Sequence, residues 1–283
     1  MKISVVGAGM VGFTIGRAFA LFGNKVTYFD VNMTRINDLN IAGYKAYHAD
    51  IKNPDFGEIT FVCVPTPTVD KKQVIKHVVS AIESLCDNRQ VKVIVIKSTI
   101  LPGTMRSKLF PILKRNNRTD IKLYHNPEFL TEKNPLYDFL HNRIVIGTEL
   151  DLYGYHDNDL QKLLSLYTPF KAPKTVVDWE TAEMMKYAAN MALAHKISYW
   201  CEINEICNKL FIDPKIVAEY TGLDKRIGTY GFRPLGMGFC GACLPKDSQA
   251  FSTWLTENDI MHTELDMFEP MIRLNNWITG SQK

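Results

Sequence analysis

A glycine- and cysteine-rich stretch at 238–247, with the sequence GFCGACLPKD, carries the residue types best suited to covalent chemistry. Its glycines let the backbone turn where a Cβ atom would clash, and Pro245 restricts the chain just beyond Cys243. A thiol at Cys243, close in sequence to Lys246 and Asp247, suits an exposed and activated nucleophile. The alternative is a connector in which the Cys-x-x-Cys spacing is incidental, because local cysteine signatures rarely transfer between proteins.

The elements that would position this stretch begin with a strand, a glycine turn, a helix and a second strand. The pattern predicts a buried strand at 2–7, a helix at 13–22 and the next strand at 25–29. The turn GAGMVG matches a dinucleotide-binding fingerprint in its required context. Its first glycine permits the tight turn, the second lets the backbone approach a pyrophosphate, and the third allows the helix to pack closely on the strand. A strand-helix unit that needs glycines only for packing is the alternative.

An acidic residue closes the second strand of this unit. Asp30 is placed to accept hydrogen bonds from ribose hydroxyls and would repel a 2′-phosphate, so we expect NAD rather than NADP. The N-terminus of the helix adds N–H groups and a positive dipole for the phosphates. The predicted cofactor contacts in this segment are Gly7, Gly9, Met10, Val11, Gly12 and Asp30.

Strands and helices continue to alternate after this unit. Strands are predicted at 58–64, 91–96, 121–124 and 143–147, with a helix at 70–85 between the first two. Such a series predicts a parallel sheet with helices on both faces, in which ligands lie beyond the carboxyl ends of the strands. Turn or capping roles are the alternative for the polar residues there, but their repeated placement favours a site. These residues are Thr66, Thr68, Ser98, Thr99, Asn126 and Glu128.

One long helical run without glycine or proline occupies 181–209, with Asp178 or Thr181 as its expected cap. Lys186 and Asn190 are spaced i, i+4, so they project from one face of a largely apolar helix. A surface pair is the alternative, but a buried functional pair is favoured because so little else near them is polar.

The whole pattern predicts two domains. An α/β, Rossmann-type parallel sheet domain is expected at 1–177, followed by a mainly helical domain at 178–283 that carries the cysteine loop. Further helices are expected after Pro214 and at 262–277.

Composition excludes several classes of function. The 283 residues are 46% hydrophobic and 22% charged, which is ordinary for a globular protein, and the net charge of +3 without a basic run does not favour nucleic acid. No apolar run approaches the roughly 18 residues of a membrane span. Six cysteines in a chain of this length fit a reducing compartment, so we expect a cytoplasmic protein. The scattered histidines and the single Cys-x-x-Cys pair predict no metal site.

A nicotinamide cofactor combined with a thiol points to a covalent oxidation of a carbonyl. Thiolate attack on an aldehyde gives a thiohemiacetal, which loses a hydride to a second NAD⁺ and leaves a thioester that water converts to a carboxylate. An ammonium such as Lys186 and an amide such as Asn190 suit the developing oxyanion, and a carboxylate such as Asp247 or Glu132 suits proton transfer. A nicotinamide cofactor, a thiol and these polar side chains together fit a four-electron oxidation of a primary alcohol to an acid. A two-domain hydroxyacid dehydrogenase is an alternative that needs no thiol.

In their order along the chain, these motifs resemble the UDP-glucose/GDP-mannose dehydrogenase family. The matching segments are GAGMVG, VPTPT, KST, NPEFL followed by Glu132, DFLHNRIVIG, TAEMMKYAAN, DKRIG and GFCGACLPKD. The resemblance implies oxidation of a nucleotide sugar with two NAD⁺, with UDP-glucose to UDP-glucuronate as the first expectation. GDP-mannose and a UDP-N-acetylhexosamine are the alternative substrates.

The resemblance also implies roles for single residues. Cys243 is similar to the family's nucleophile, and Asp247 to the acid that positions or activates water. Thr99 matches the threonine that holds this water, Glu132 a carboxylate of proton transfer, and the Lys–Asn pair of the long helix the oxyanion site. The remaining cofactor contacts implied are Pro65, Thr66, Thr99 and Glu128. The substrate contacts implied are Glu128, Phe129, Leu130, Lys186, Asn190, Arg226, Gly238 and Cys243.

The family comparison implies partners and shows departures. It implies a homodimer through the long helix. The chain ends at Lys283, where a UDP-binding domain would begin in the family. The alternatives are a natural minimal form, a fragment of a longer protein, a separate polypeptide that supplies the domain, or an incomplete NAD-binding partner of a full-length dehydrogenase. Cys240 stands where the family usually has glycine. Our hypothesis is that oxidation joins Cys240 to Cys243 and silences the enzyme reversibly.

Overall fold

The computed structural model describes residues 1–49, 56–149, 157–233, 237–241, 243–261 and 266–280. The chain divides into two units, the first formed by 1–66 with 74–186 and the second by 67–73 with 187–283. The predicted boundary after residue 177 lies earlier in the chain than this division. Among the described residues, no helix is both long and apolar enough to cross a membrane.

The first unit is built on an eight-stranded sheet. In chain order the strands of the described residues are β1 (Lys2–Val6), β2 (Lys25–Asp30), β3 (Lys45–His48), β4 (Ile59–Val62), β5 (Thr68–Val69), β6 (Lys72–Gln73), β7 (Val93–Ile96), β8 (Lys122–His125), β9 (Ile144–Thr148) and β10 (Lys174–Asp178). The sheet has the order β10-β9-β8-β7-β4-β1-β2-β3, while β5 and β6 form a separate hairpin in the second unit. The Rossmann-type α/β fold is confirmed.

One pairing departs from the predicted parallel sheet. Within the eight-stranded sheet, neighbouring strands are parallel except β8 and β9, which pair antiparallel at His125 and Gly147. A parallel β9 would need a crossover back to the amino edge of the sheet. The chain instead enters β9 from the carboxyl edge of β8. The segment 126–134 therefore stays at the edge where ligands are expected.

The central strands are buried because both faces of the sheet are covered. Val5, Phe61 and Val95 lie side by side on β1, β4 and β7 and belong to one apolar cluster. The residue that follows each of them belongs to the cluster on the opposite face. Strands with two buried faces lack polar alternation, which explains the continuous apolar runs in the sequence.

Helices of the first unit cover this sheet. In chain order the helices here are α1 (Met10–Leu21), α2 (Met33–Ile41), α3 (Lys76–Cys86), a π-helix (Met105–Leu109) that continues into α4 (Phe110–Arg115), α5 (Pro135–His141) and α6 (Asn158–Leu166). They are followed by α7 (Trp179–Lys209), whose residues are divided between the two units. Of the two expected caps, Asp178 and Thr181, the structure shows Asp178, because its carboxylate accepts from the backbone N–H of Thr181 at 2.7 Å and from its hydroxyl at 2.8 Å.

The predicted helix at 70–85 was wrong in its first turn. Asp70 and Lys71 have φ angles of 49° and 62° and form the two-residue turn between β5 and β6. Positive φ at both turn positions is the geometry that closes a tight hairpin. The helix begins only at Lys76. An Asp–Lys turn lacks the usual glycine, so no sequence pattern predicts this hairpin.

The second unit is mostly helical, as expected. Besides the later part of α7 it contains α8 (Pro214–Thr221), α9 (Leu244–Glu257) and α10 (Phe268–Thr279). Residues 262–265 of the predicted last helix lie outside the described residues. Helix α9 packs on α10 and on the β5–β6 hairpin. Tyr187 of α7 joins this core, since its ring stacks on Phe251 at 5.1 Å and its hydroxyl accepts from Gln73 at 2.8 Å.

A buried carboxylate ties α7 to the loop that follows β7. Glu183 is 0% exposed, and its two carboxylate oxygens accept from the backbone N–H groups of Gly103 at 2.6 Å and Met105 at 2.8 Å. These N–H groups lie where the chain enters the π-helix, whose positive end favours a negative group. The contact fixes the first turns of α7 within the first unit.

Glu183 should make stability depend on pH. Burial raises the pKa of Glu183 from 4.5 to about 8, although the two N–H donors oppose the shift. The folded protein therefore holds this proton more tightly than the unfolded chain, and the free energy of unfolding should fall as pH rises from 4.5 to about 8. Glu183→Gln does not titrate and should lack this part of the pH dependence. Denaturant unfolding of both proteins across this interval measures the difference.

The matched control is Glu180→Gln on the same helix. The side chain of Glu180 is 36% exposed and pairs with Arg106 at 2.5 Å. Its charge adds to the raised pKa of Glu183, so its replacement should keep the fall in stability with rising pH but end it at a somewhat lower pH. Parallel stability curves for Glu183→Gln and the wild type would contradict the prediction.

Candidate active site

The glycine turn after β1 is shaped by contacts that no side chain would allow. Gly7 has a φ of +90°, and a Cβ there would lie 2.7 Å from the carbonyl oxygen of Cys63. A Cβ at Gly12 would lie only 1.9 Å from the carbonyl oxygen of Gly7. A Cβ at Gly9 would meet nothing within 4 Å, so this face of the turn is open. The first and third glycines therefore serve packing, and the second leaves room for a ligand.

The open face leads to the N-terminus of α1. Gly9 caps the helix with extended backbone and offers no side-chain acceptor to the first turn. The N–H groups of that turn remain for an acceptor from outside, which is the arrangement that binds phosphate. Met10 is exposed there, and Val11 is half-buried. The turn fits the pyrophosphate of a dinucleotide.

Asp30 at the end of β2 holds the glycine turn in place. Its carboxylate accepts from the backbone N–H of Ala8 at 2.6 Å and from that of Asn32 at 2.9 Å. Arg35 of α2 completes the contact, because its Nε donates to the carbonyl oxygen of Ala8 at 2.8 Å. Sequence reasoning missed Arg35, and its only signal was a basic residue shortly after the acid. The ribose contact of Asp30 stays a prediction.

The loops after β4 and β7 are cross-linked by hydroxyl groups. The buried Thr66 donates its hydroxyl to the carbonyl oxygen of Thr99 at 2.8 Å. Ser98 donates to the carbonyl oxygen of Val64 at 2.6 Å. Pro65 is exposed between these contacts. The predicted cofactor residues Pro65, Thr66 and Thr99 therefore lie together at the carboxyl edge of the sheet.

The segment after β8 forms an ion pair with α7 within the first unit. Glu128 accepts from the ammonium of Lys186 at 2.8 Å and from the backbone N–H of Leu130 at 2.7 Å. The side chain of Glu128 is only 12% exposed and that of Lys186 only 6%. Burial alone would raise the pKa of Glu128, but the nearby Lys186 outweighs it and holds the pKa below its usual value. Lys186 is thus a buried cation with its counter-ion in place.

An aromatic ring lies beside this pair. The ring centre of Phe129 is 5.6 Å from the Lys186 ammonium and 3.8 Å from the Arg143 guanidinium, so both cations contact this ring. Glu132 follows on the same segment, before α5, and is exposed. The first unit therefore gathers Glu128, Phe129 and Lys186.

The second unit has its own polar cluster at the N-terminus of α9. Cys243 immediately precedes the helix and is exposed, and the N–H of Asp247, one turn later, donates to its carbonyl oxygen at 2.9 Å. Asp247 is 1% exposed and accepts from Asn190 at 2.8 Å and from Lys246 at 2.5 Å. Thr68 of the hairpin donates to the carbonyl oxygen of Lys246 at 2.9 Å. The helix dipole favours a negative charge at Cys243.

Two further residues with predicted substrate contacts lie elsewhere in this unit. Gly238 has a φ of +34°, and a Cβ there would lie 2.4 Å from the side-chain oxygen of Asn275. The same oxygen accepts from the backbone N–H of Phe239 at 2.6 Å, so Asn275 shapes the start of the cysteine loop. Arg226 is 89% exposed and pairs with Asp224 at 2.6 Å. Within the described part of the chain, no three His, Cys, Asp or Glu residues are arranged to hold a metal ion.

Comparison with known protein families identifies the family of this chain. Residues 1–53 and 43–171 match the NAD binding domain of the UDP-glucose/GDP-mannose dehydrogenase family, and 180–277 match its central domain. The chain belongs to this family. The first unit of such a chain binds NAD, and the resemblance in the sequence motifs is confirmed.

Three relatives illustrate the match. UDP-glucose 6-dehydrogenase YwqF of Bacillus subtilis is 31% identical over 302 residues, covering 98% of this chain and 66% of its own length. The structure of a UDP-glucose dehydrogenase from Pyrobaculum islandicum has 29% sequence identity and a TM-score of 0.84, and the match covers 97% of this chain and 68% of that one. The structure of a GDP-mannose dehydrogenase from Pseudomonas aeruginosa has 25% sequence identity and a TM-score of 0.69, and the match covers 100% of this chain and 72% of that one. The chain thus spans about two thirds of the length of the UDP-glucose dehydrogenases.

The two glycines of the turn should respond differently to a methyl group. Gly12→Ala forces a Cβ onto the Gly7 carbonyl and should cost about 1–3 kcal/mol of stability, as overpacking does. Gly9→Ala should keep the stability but weaken NAD binding, because the methyl group occupies the open face of the turn. Denaturant unfolding and calorimetric titration with NAD measure the two effects. A Gly9→Ala protein with wild-type NAD affinity would contradict the cofactor assignment.

Proposed function

We propose that the protein oxidises the primary alcohol of a nucleotide sugar to a carboxylate with two NAD⁺, and that UDP-glucose, giving UDP-glucuronate, is the substrate. The observation that carries the proposal is Cys243 at the N-terminus of α9, with Asp247 one turn on and held by Asn190 at 2.8 Å. A dehydrogenase that only moves hydride needs no such thiol. A thiol is required when an aldehyde must be captured and oxidised again.

The chemistry divides between the cofactor and the chain. Bound NAD⁺ supplies a hydride acceptor, once for the alcohol and once for the captured aldehyde. The Cys243 thiolate adds to the aldehyde carbon, and the carbonyl electrons move to oxygen. Lys186 and Asn190 stabilise that oxyanion by charge and hydrogen bonding. The second oxidation restores the C=O bond and leaves a thioester.

Hydrolysis completes the cycle. Water attacks the thioester carbon, the C–S bond breaks, and the sulfur of Cys243 leaves with the bonding electrons. Thr99 holds this water, Asp247 takes its proton, and Glu132 serves proton transfer at the alcohol. Asp247 suits its role because Asn190 and Lys246 fix both of its oxygens. The Glu128 carboxylate orients Lys186.

Relatives support the substrate. UDP-glucose is favoured because the YwqF protein and the Pyrobaculum protein, at 31% and 29% identity, are both UDP-glucose dehydrogenases. GDP-mannose is the second candidate, supported by the Pseudomonas GDP-mannose dehydrogenase at 25% identity.

We also propose that the protein is a homodimer that pairs through α7. The later half of this helix carries exposed apolar side chains: Tyr199 is 48% exposed and Ile206 47%. Beyond its end, Leu210 is 62% exposed and Phe211 98%. Apolar side chains that accumulate on one exposed surface mark protein interfaces.

Stoichiometry tests the proposed function. The purified protein is incubated with NAD⁺ and, in turn, with UDP-glucose, GDP-mannose and a UDP-N-acetylhexosamine, while NADH is followed. Two NADH per sugar are expected with UDP-glucose. Cys243→Ala should form no carboxylate, whereas Cys240→Ala should retain turnover. Tight NAD binding without NADH from any sugar would overturn the proposal, and full carboxylate formation by Cys243→Ala would overturn the role of Cys243 as nucleophile.

The second thiol of the loop should make the enzyme sensitive to peroxide. Cys240 and Cys243 are both exposed, and one peroxide can oxidise two thiols to a disulfide and two waters. Wild-type activity should be lost with peroxide and regained with dithiothreitol. Cys240→Gly should lose activity more slowly, since it offers no second thiol. Equal sensitivity of the two proteins would contradict the disulfide hypothesis.

A further inference from the structure

Lys97, the residue after β7, is a buried cation to which the proposed mechanism gives no role. It is 1% exposed, and its ammonium donates to the side-chain oxygen of Asn126 at 2.9 Å and to the carbonyl oxygen of Pro127 at 3.4 Å. Both acceptors are neutral. An ammonium buried against neutral groups costs free energy unless a negative group lies nearby.

The orientation of Asn126 shows that this contact is built into the fold. Its amide nitrogen donates to the carbonyl oxygen of Val145 at 2.7 Å, which turns the amide oxygen the other way. That oxygen accepts from Lys97 and, at 2.6 Å, from the hydroxyl of Tyr167. Lys97 thus joins the end of β7 to the segment that leaves β8.

The negative group lies two residues further along that segment. Glu128 and Lys97 line the same cavity of about 10 Å³, together with Asn126, Pro127 and Phe129. Glu128 accepts from Lys186 at 2.8 Å and also interacts electrostatically with Lys97. One carboxylate is therefore shared by two buried ammonium groups, and the cluster of three carries one net positive charge.

We propose that Lys97 is a positioning residue of the active site, which holds the segment 126–128 so that Glu128 meets Lys186 and whose charge keeps this cluster cationic. The proposal rests on the proposed function, in which Lys186 stabilises an oxyanion. With Lys97 neutral, Glu128 would cancel the charge of Lys186, and a developing negative charge would gain less from the cluster.

The surroundings of Lys97 make its charge sensitive to pH. Burial lowers the pKa of Lys97 to about 8, although Glu128 opposes the shift. Burial also raises the pKa of Cys63 to about 12 and lowers that of His125 to about 3, so both are neutral near pH 7. The titratable and charged groups that face Lys97 or line its cavity are Cys63, His125, Glu128, Asp138, Arg143, Tyr167 and Lys186.

Three variants test the proposal through the pH dependence of kcat. The wild type should lose activity as pH rises through about 8. Lys97→Met should lower kcat about tenfold near pH 7, since loss of a direct oxyanion donor costs roughly 10²–10³ and Lys97 acts through a neighbour. It should also lack the decline near pH 8. Lys97→Arg keeps its charge and should move the decline to higher pH.

Lys174→Met is the matched control. Like Lys97, Lys174 donates to two oxygens, the carbonyl oxygens of Phe170 at 2.8 Å and Ala172 at 3.0 Å. Unlike Lys97, Lys174 is exposed. Its replacement should leave the pH profile of kcat unchanged. If kcat of Lys97→Met were lower than that of the wild type by the same factor at every pH, with the decline near pH 8 retained, the proposal would be overturned.

A second measurement needs no turnover and separates this proposal from the proposed function. Carbon-13 labelling of glutamate allows the Glu128 carboxylate to be titrated by NMR, with Glu128→Gln to assign its signal. The Glu128 pKa should rise in Lys97→Met and stay near the wild-type value in Lys97→Arg and Lys174→Met, since Lys97 helps to lower it. An unchanged Glu128 pKa in Lys97→Met would overturn the proposal. A raised pKa in a protein that oxidises no sugar would overturn only the proposed function.

Discussion

The close approach of backbone segments at the glycine turn is the constraint on which the first unit depends. A Cβ at Gly7 would overlap the carbonyl oxygen of Cys63, and a Cβ at Gly12 would overlap that of Gly7. Strand β1 can lie between β2 and β4, with α1 packed on it, only because both positions lack a side chain. The carboxyl ends of the central strands then meet at one edge. The loops with Thr66, Thr99 and Glu128 are displayed along that edge.

The sheet could be predicted from the sequence because its strands are buried on both faces. Runs such as VIVI at Val93–Ile96 leave little choice of structure. The hairpin at 67–73 could not be predicted, because Asp70 and Lys71 are unusual residues for a turn with positive φ. The antiparallel β9 also lay beyond sequence reasoning, since strand direction depends on the edge from which the chain re-enters the sheet.

The candidate site was predictable where a motif defines a backbone shape and less so where charges meet across the fold. The glycine turn and the polar pair on α7 followed from spacing. The counter-ion of Lys186 did not, because no sequence pattern joins Glu128 to a helix so far along the chain. Glu183 and Lys97 were missed for a related reason. A buried titratable side chain has the same letter in the sequence as an exposed one, and only its environment gives it a role.

The hairpin at 67–73 has a consequence for how the chain reaches this fold. It lies within the sequence of the first unit but packs on α9 in the second, and Thr68 bonds to a residue 178 positions later. During synthesis the hairpin emerges long before its packing partner. An isolated two-stranded hairpin is marginal in water. Thr68 and its neighbours must therefore stay unpacked until α9 has been made, and contacts so distant in sequence slow folding.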